Sequence, residues 1–321
     1  MKNKKTFGQW VTSYTGQKYL TTFLFLLIPL VLLVVFTFIP AINMVIFSFQ
    51  SRDQFGITVE WVGLQNYKTV FDTSADYLIT FKNSIYYMIG SAFQLGFALL
   101  LATILCSKIK FKGLFKGVLF FPYLMNGVAV SLIFRRFFQM GDGIVTQNGT
   151  LNTIITSLGG EAIPFLSNPN IANFCLVFAS MWKYMGFDIL MFIGAIQSIS
   201  QDVYEASDLD GVNPWQRFKY IVFPSIKSII SLQLILSIKG AVSVFDIPYI
   251  ITGGKFGTNT FVIKTIETGF VFKKFGLASA MAVVLLMIII VVTIIQKVLF
   301  KEDSDYVPKR RRYFRDKEVA K

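Results

Sequence analysis

Apolar runs long enough to cross a lipid bilayer recur along this chain and restrict the folds open to it. Crossing about 30 Å of hydrocarbon takes about 20 residues of α-helix, because each residue advances the helix by about 1.5 Å. Runs of this length without a charged residue are found at 19–51, 83–107, 117–134 and 275–296. Two further segments, about 171–198 and 226–250, are apolar apart from a few charges. Because backbone inside lipid must bond within its own helix, the sequence predicts an all-α polytopic membrane protein with six transmembrane helices.

Prolines are expected to distort the first of these spans. Pro29 and Pro40 should kink or break the first span, and Pro122 lies inside the third, from about Leu114 to Phe134. The first apolar run is too long for a signal-peptide core, so it is expected to be an uncleaved span. Between the third and fourth spans, Leu151–Leu158 is expected to form a short interfacial helix.

The distribution of basic residues predicts the orientation of the chain. With both termini in the cytoplasm, 20 of the 31 Lys and Arg residues lie in cytoplasmic segments and nine in external ones, as the positive-inside rule requires. We therefore predict a cytoplasmic basic tail at 1–20, a transmembrane permease domain at 21–300 and a cytoplasmic charged tail at 301–321. The Arg310-Arg311-Arg312 cluster is interpreted as an anchor for lipid headgroups rather than a nucleic-acid site, although the formal net charge is +13.

Several classes of chemistry are excluded by composition. The chain has no histidine, which removes histidine-based catalysis and histidine-bound metal sites. Cys106 and Cys175 both lie in apolar spans and are interpreted as small buried hydrophobic residues. Gly254-Lys255 lacks the spacing of a phosphate-binding loop. The sequence thus predicts no catalytic residue, no metal and no cofactor, and transport energy must come from a partner or an ion gradient.

The segment 199–224 is polar and lies between two apolar spans, and it is predicted to form two short helices around a turn. Asp202 is predicted to cap the first helix, with Glu205 reaching back as in a capping box. Gly211 is predicted to end that helix in a left-handed conformation. Asn213-Pro214 is predicted to begin the second helix, where the missing proline N–H costs nothing.

The same segment carries a family resemblance. Glu205-Ala206-Ser207, Gly211, Ile221 and Phe223-Pro224 resemble the EAA loop of membrane subunits of binding-protein-dependent ABC importers, whose pattern is Glu-Ala-Ala, three residues, Gly, nine residues, Ile-x-Leu-Pro. Ser207 and Phe223 depart from it. The resemblance implies an ABC importer type I permease-like fold and a loop that inserts into a groove on a cytoplasmic ATPase. It assigns this coupling role to Glu205, Ala206, Ser207, Asp210, Gly211, Ile221 and Pro224.

Matches outside the loop resemble the carbohydrate-uptake branch of these permeases, of the maltose or multiple-sugar type. They are Trp182, Gly186-Phe187, Gln197-Ser198-Ile199, Tyr204, Phe245-Asp246, Tyr249, Thr252-Gly253-Gly254 and 275–280. The resemblance implies a prokaryotic plasma or inner membrane location. It also implies four kinds of partner: a second homologous permease subunit, a cytoplasmic ATPase dimer, an extracellular or periplasmic solute-binding protein and a sugar substrate.

Polar groups inside the spans are candidates for a substrate path. Charged side chains within a membrane are costly and tend to face a cavity or a partner. The candidates are Asn126, Lys183, Asp188, Lys239 and Asp246. Lys239 and Asp246, seven residues apart, are expected to share a helical face. The alternative role for each of these residues, and for Gln94, is a hydrogen-bonding or ionic bracket that holds the assembly together.

Three classes of function remain open from the sequence. The first is a permease subunit of an ATP-driven importer for a sugar or oligosaccharide. The second is a secondary transporter driven by protons or sodium, which would use Asp188 and Asp246 but leaves the loop pattern unexplained. An ABC permease for a different solute, such as a sugar-phosphate or a polyol, is a variant of the first. The third class, an integral-membrane enzyme, lacks any catalytic motif.

Overall fold

The computed structural model describes most of the chain between the two charged tails. The described residues are 13–52, 59–72, 77, 80–107, 109–141 and 147–299. The predictions for the N-terminal tail up to residue 12, for the 301–321 tail and for its arginine cluster lie outside these residues.

Helices make up most of the described structure. In chain order they are α1 Tyr14–Leu33, α2 Ile39–Ser48, α3 Gln65–Phe71, α4 Phe81–Cys106, α5 Lys112–Leu124, α6 Gly127–Phe138, α7 Thr150–Ser157, α8 Ala172–Gln197, α9 Gln201–Leu209, α10 Pro214–Arg217, α11 Phe223–Ser225, α12 Lys227–Val242, α13 Asp246–Thr252, α14 Phe261–Ile266 and α15 Phe275–Leu299. Three π-helical turns lie at Val34–Phe38, Phe218–Val222 and Glu267–Val271. Two short strands, β1 Gln50–Arg52 and β2 Val59–Trp61, pair antiparallel.

The all-α polytopic class is confirmed. Five helical segments are long and apolar enough to cross a membrane: Tyr14–Ser48, Phe81–Cys106, Ala172–Gln197, Lys227–Thr252 and Phe275–Val298. The pair α5 and α6 passes the same test together but is bent by 97°. The predicted count of six is reached when this pair is taken as one span. The predicted short helix after it is also present, as α7.

The third span is broken, although the sequence predicted one continuous helix. Pro122 lies in the last turn of α5 and has no N–H for the carbonyl four residues earlier. Met125 then adopts an extended conformation, with ψ of 142°. Asn126 begins α6 as its N-cap, and its side chain accepts a 2.8 Å hydrogen bond from the Val128 N–H. Proline and cap together make a break more favourable than a straight helix.

The first span is distorted at Pro40 but continues through it. The π-turn Val34–Phe38 directly precedes α2, in which Pro40 is among the first residues. A π-turn shifts the hydrogen-bond register by one residue, and here the Ile39 N–H bonds to the Val34 carbonyl. The helix therefore absorbs the proline without a break from Tyr14 to Ser48.

The chain divides into two compact units. The first comprises Met1–Ala75 with Thr265–Val284, and the second comprises Asp76–Lys264 with Leu285–Lys321. In the first unit, the Asn66 side chain donates 2.9 Å hydrogen bonds to the carbonyls of Ser48 and Gln50, which fixes α3 against the end of the first span.

The second unit is built around α8. This helix packs along α4 and α5, and α12 packs against α4. A close approach occurs at Gly186, where a Cβ atom would lie 2.2 Å from the Leu119 carbonyl oxygen and 2.8 Å from the Phe120 Cα. Small residues at such crossings let helix backbones meet inside a membrane.

The fifth span is interrupted between α12 and α13, so the predicted shared face of Lys239 and Asp246 is wrong. Pro248 has no N–H to give to the Val244 carbonyl, which a continuous helix would require. The buried Thr260 hydroxyl donates to that carbonyl instead, at 3.0 Å. The helical phase is therefore lost between the two charged residues.

Candidate functional site

A central cavity of about 400 Å³ lies within the second unit. Helices α4, α5, α8, α12 and α13, with the 243–245 break, supply its wall. Its polar lining residues are Tyr87, Ser91, Gln94, Tyr123, Ser180, Tyr184, Asp188, Ser237, Ser243 and Asp246. Its apolar lining includes Val177, Met181, Phe187, Leu236, Val244, Phe245 and Ile247. A wall that combines aromatic rings with several hydroxyl, amide and carboxylate groups is typical of a site for a polar organic ligand.

Asp188 is held in this wall by two amide side chains from neighbouring helices. Gln94 of α4 donates to one carboxylate oxygen at 2.5 Å, and Gln233 of α12 donates to the other at 2.8 Å. All three side chains are buried. The prediction that Gln94 forms an interhelical hydrogen bond is confirmed. Each Asp188 oxygen keeps one lone pair, so the carboxylate can serve as a bracket and still accept a further hydrogen bond.

Asp246 and Lys183 are neighbours at the break of the bent pair. A Cβ atom at Gly127 would lie 2.8 Å from the Lys183 ammonium nitrogen and 3.0 Å from an Asp246 carboxylate oxygen, so both groups crowd the first residue of α6. Lys183 is buried and lies over the Tyr184 ring at 4.9 Å. Asp246 is the first residue of α13, where the helix dipole favours a negative charge.

The structure thus brings some of the predicted path residues together and not others. Asp188 and Asp246 line the central cavity, and Lys183 lies beside Asp246 without lining it. Asn126 is an exposed cap of α6 and does not line the cavity. Lys239 is also exposed and does not line it.

Several lining residues were not predicted from the sequence. Tyr87 is buried, and its hydroxyl has no hydrogen-bond partner among the described residues. Tyr123 and Phe187 stack with ring centroids 4.9 Å apart, and Phe245 stacks on Tyr249 at the same distance. Serines and aromatic rings are ordinary members of apolar spans, so only the packing of the helices reveals that these converge. Gln233, which bonds to Asp188, could have been identified from the sequence, because an amide side chain within an apolar run needs a hydrogen-bond partner.

The first helix of the 199–224 loop begins earlier than predicted. Its N-cap is Ser200, which has an extended backbone, and Asp202 is the second residue of α9. The predicted cap by Asp202, with Glu205 reaching back, is therefore wrong. The end is as predicted: Gly211 has φ of +68°. The Val212 N–H bonds to the Ser207 carbonyl and the Gly211 N–H to the Asp208 carbonyl, which is the Schellman arrangement.

The second helix of the loop begins as predicted. Asn213 accepts a 2.9 Å hydrogen bond from the Gln216 N–H, and the Gln216 side chain accepts one of 3.1 Å from the Asn213 N–H. This is a full capping box with Pro214 at the first position. The ion pair of Asp208 with Arg217 joins α9 to α10. Caps and ion pair together define one conformation for the loop.

Most predicted coupling residues are accessible on this loop. Ala206, Ser207, Asp210 and Ile221 line one open groove of about 380 Å³ between the two helices, with Asp202, Val203 and Val212. Glu205, Gly211 and Pro224 are exposed beside it. Ser207 is the exception, since its side chain is buried and its hydroxyl donates to the Tyr204 carbonyl at 2.7 Å.

Large apolar side chains are also exposed on the loop. Leu209 is 90% exposed and Trp215 is 69% exposed, although neither lies in a membrane-spanning helix. Tyr220 and Phe223 are exposed as well. Several large apolar side chains exposed on one polar connector are typical of a protein interaction site.

The loop is packed firmly against the spans. Val222 and Ile226 are buried with residues of α4 and α8, including Phe192. Tyr204 and Phe218 pack against the same cluster. Phe192 lies one helical turn after Asp188 in α8, so one rigid helix connects the loop cluster to the cavity.

The described residues contain no group of three or more His, Cys, Asp and Glu side chains arranged to hold a metal ion.

Comparisons with known proteins agree with this architecture. The family model described as "Binding-protein-dependent transport system inner membrane component" matches residues 94–302. The osmoprotective compounds uptake permease protein GgtC of Synechocystis sp. is 31% identical, over 72% of this chain and 82% of that protein. The multiple sugar-binding transport system permease protein MsmF of Streptococcus mutans is 28% identical, over 87% of this chain and 94% of that protein.

The fold is also found in solved structures. Crystal structures of a bacterial alginate ABC transporter, one of them in complex with an alginate pentasaccharide-bound periplasmic protein, match with a TM-score of 0.76. The match covers 89% of this chain at 18% identity, and 96% and 95% of the two solved chains. Because the family model matches well over half of its length, the chain belongs to the family of inner membrane components of binding-protein-dependent transport systems.

Proposed function

We propose that this chain is the membrane-spanning subunit of an ATP-driven importer that carries a sugar or oligosaccharide. The observation that carries the proposal is the central cavity, in which hydroxyl, amide and carboxylate groups face stacked aromatic rings inside an otherwise apolar bundle. A volume of about 400 Å³ is within the usual range for a small-molecule site. The relative MsmF is described as part of a multiple sugar-binding transport system, which favours the same class of solute.

The chemistry of the cavity suits a hydroxylated ring. Apolar faces of such a ring can lie against Tyr123, Phe187 or Phe245, while its hydroxyls can both donate and accept. Asp188 offers two acceptor oxygens in fixed positions. The wall contains five described aromatic rings and four serines. This combination favours a hydroxylated solute over a purely apolar one.

The 199–224 loop is proposed to couple the cavity to a cytoplasmic ATPase dimer. Its accessible groove and its exposed Leu209 and Trp215 supply a docking surface, and Val222 and Ile226 connect it to α4 and α8. Displacement of the loop would therefore tilt the helices that carry Gln94 and Asp188. An ion-driven mechanism leaves this surface without a partner.

The remaining partners follow from the same proposal. A second homologous permease would cover part of the first span, whose most apolar window has no buried residue in the isolated chain. An external solute-binding protein would deliver the sugar, as the complex of the alginate transporter with its periplasmic protein illustrates for that system. Membrane lipids would cover the rest of the apolar surface.

Both termini are proposed to be cytoplasmic, and this predicts a protease-accessibility pattern. Tags at residues 1 and 321 should be protected in spheroplasts, whereas an epitope inserted in the exposed turn after Gly159 should be cleaved. The expectation rests on the excess of Lys and Arg in the segments assigned to the cytoplasm. Opposite accessibility of the two tags would require an odd number of spans and would contradict the proposed orientation.

Asp188→Asn tests whether the cavity serves transport. The asparagine keeps one acceptor oxygen, and a flipped Gln94 or Gln233 can accept from its amide, so the helix bracket is expected to survive. A charge-assisted hydrogen bond to the solute is lost, so uptake of radiolabelled disaccharides per assembled complex should fall about tenfold. Asp188→Ala should instead reduce the amount of folded complex, because two buried amides lose their acceptor. Normal uptake by Asp188→Asn, with normal complex levels, would show that Asp188 takes no part in the substrate path.

A further inference from the structure

The wall of the central cavity carries negative charge. Asp188 and Asp246 both contribute carboxylates to it, and no Lys or Arg is among its described lining residues. The two amides on Asp188 are dipoles that stabilise its charge without cancelling it. Lys183 is the cation beside Asp246, at Gly127, but it is not among the lining residues. Two carboxylates and one offset ammonium leave the cavity electronegative.

We propose that this cavity admits uncharged or amino-bearing sugars and excludes acidic sugars such as uronates and sugar phosphates. The inference rests on the proposed function and narrows its substrate class. An anionic group inside the cavity would lie close to like charges, and repulsion by the buried Asp188 would be weakly screened. An amino group would instead be attracted by the carboxylates and by the faces of the aromatic rings.

The fold itself does not impose this selectivity. The alginate transporter, which has the same fold, is described as an importer of an acidic polysaccharide. Solute charge must therefore be set by the side chains that line the path in each member. In this chain the lining side chains are carboxylates, hydroxyls, amides and rings, which makes the inference specific to this sequence.

The charge of the cavity can be measured without knowing the solute. In a background with Cys106→Ser and Cys175→Ala, Ser237→Cys places one thiol in the cavity wall, and Ser157→Cys places a reference thiol on the exposed face of α7. The detergent-solubilised complex is treated with cationic and anionic methanethiosulfonate reagents of similar size. The measured quantity is the ratio of the two modification rate constants, cationic to anionic, at each thiol.

At the Ser237→Cys thiol the ratio should exceed that at the reference thiol by about tenfold, as expected for a charged cleft with low-dielectric walls. Asp246→Asn should lower the ratio, and Lys183→Met should raise it. Glu161→Gln, an exposed acidic position that does not line the cavity, is the matched control and should leave it unchanged. A ratio equal to or below the reference, or one insensitive to Asp246→Asn, would overturn the inference.

This experiment separates the inference from the proposed function. The rate ratio needs neither ATP nor transport, so it reports the charge of the cavity even if the chain carries no sugar. Conversely, if the complex takes up sugar but the rate ratio at the Ser237→Cys thiol equals that at the reference thiol, the proposed function would stand and only the proposed charge selectivity would be wrong.

Discussion

Glu205→Lys is expected to abolish most ATP-driven uptake while the complex still inserts and folds. Glu205 is exposed in the middle of α9, beside the groove formed by Ala206, Ser207 and Asp210. An exposed substitution of this kind changes stability by only about 0.5 kcal/mol. Reversal of its charge at a docking surface should weaken coupling by about tenfold or more in uptake per complex.

The measurement is uptake together with solute-stimulated ATPase activity in purified complex. Gln201→Lys provides the control, because it also introduces a lysine at an exposed position of the same helix, but outside the groove. Gln201→Lys should transport at close to the normal rate. Normal uptake and stimulation by Glu205→Lys would show that Glu205 does not take part in coupling.

Gly186→Ala is expected to destabilise the helix bundle. The added Cβ would lie 2.2 Å from the Leu119 carbonyl oxygen and 2.8 Å from the Phe120 Cα, and backbone atoms cannot rotate away. Helix α5 must therefore move away from α8. Overpacking of this kind costs about 1–3 kcal/mol. The melting temperature of the protein in detergent should fall. This measurement needs no transport activity.

Gly194→Ala is the matched control for this substitution. Gly194 lies on the same helix and is exposed, and a Cβ atom added there would meet no atom within 4 Å. Alanine has the higher helix propensity, by about 1 kcal/mol, so this variant should be neutral or slightly stabilising. Equal melting temperatures for Gly186→Ala and the unmodified protein would contradict the described packing of α5 on α8.

The predictions that held depend on local sequence. Apolar runs define the spans because lipid admits only backbone that is hydrogen-bonded within its own helix. Gly211 and Asn213 act within one turn of the chain, through a left-handed conformation and a capping box, and both were correctly identified. The family resemblance rested on the same local segment, and the matched family model confirms it.

The predictions that failed depended on competition between neighbouring signals. Asp202 is a good cap, but Ser200 precedes it with an extended backbone and starts the helix two residues earlier. In the third span, apolar length favoured a continuous helix, whereas Pro122 and Asn126 favoured a break. In the fifth span, the buried Thr260 satisfies the carbonyl that Pro248 leaves open, a contact across 16 residues that periodicity does not reveal.

The site could be predicted only in part. Charged residues in spans are conspicuous, and Asp188 and Asp246 do line one cavity. Lys239 is equally conspicuous and lies outside it, because α12 turns Ser237, Gly240 and Ala241 toward the cavity and leaves Lys239 on another face. Tyr87, Ser237 and Phe187 are ordinary residues in apolar helices, and their convergence depends on how α4, α8 and α12 pack.

This chain is proposed to carry a sugar across the membrane with energy from a partner ATPase. The most direct test uses proteoliposomes that contain the assembled transporter, its external binding protein and a panel of radiolabelled di- and trisaccharides. We expect at least one of these sugars to accumulate in a process that requires internal ATP, stops with orthovanadate and persists when a protonophore and a sodium ionophore are added. Accumulation that proceeds without ATP and collapses with either ionophore would contradict it.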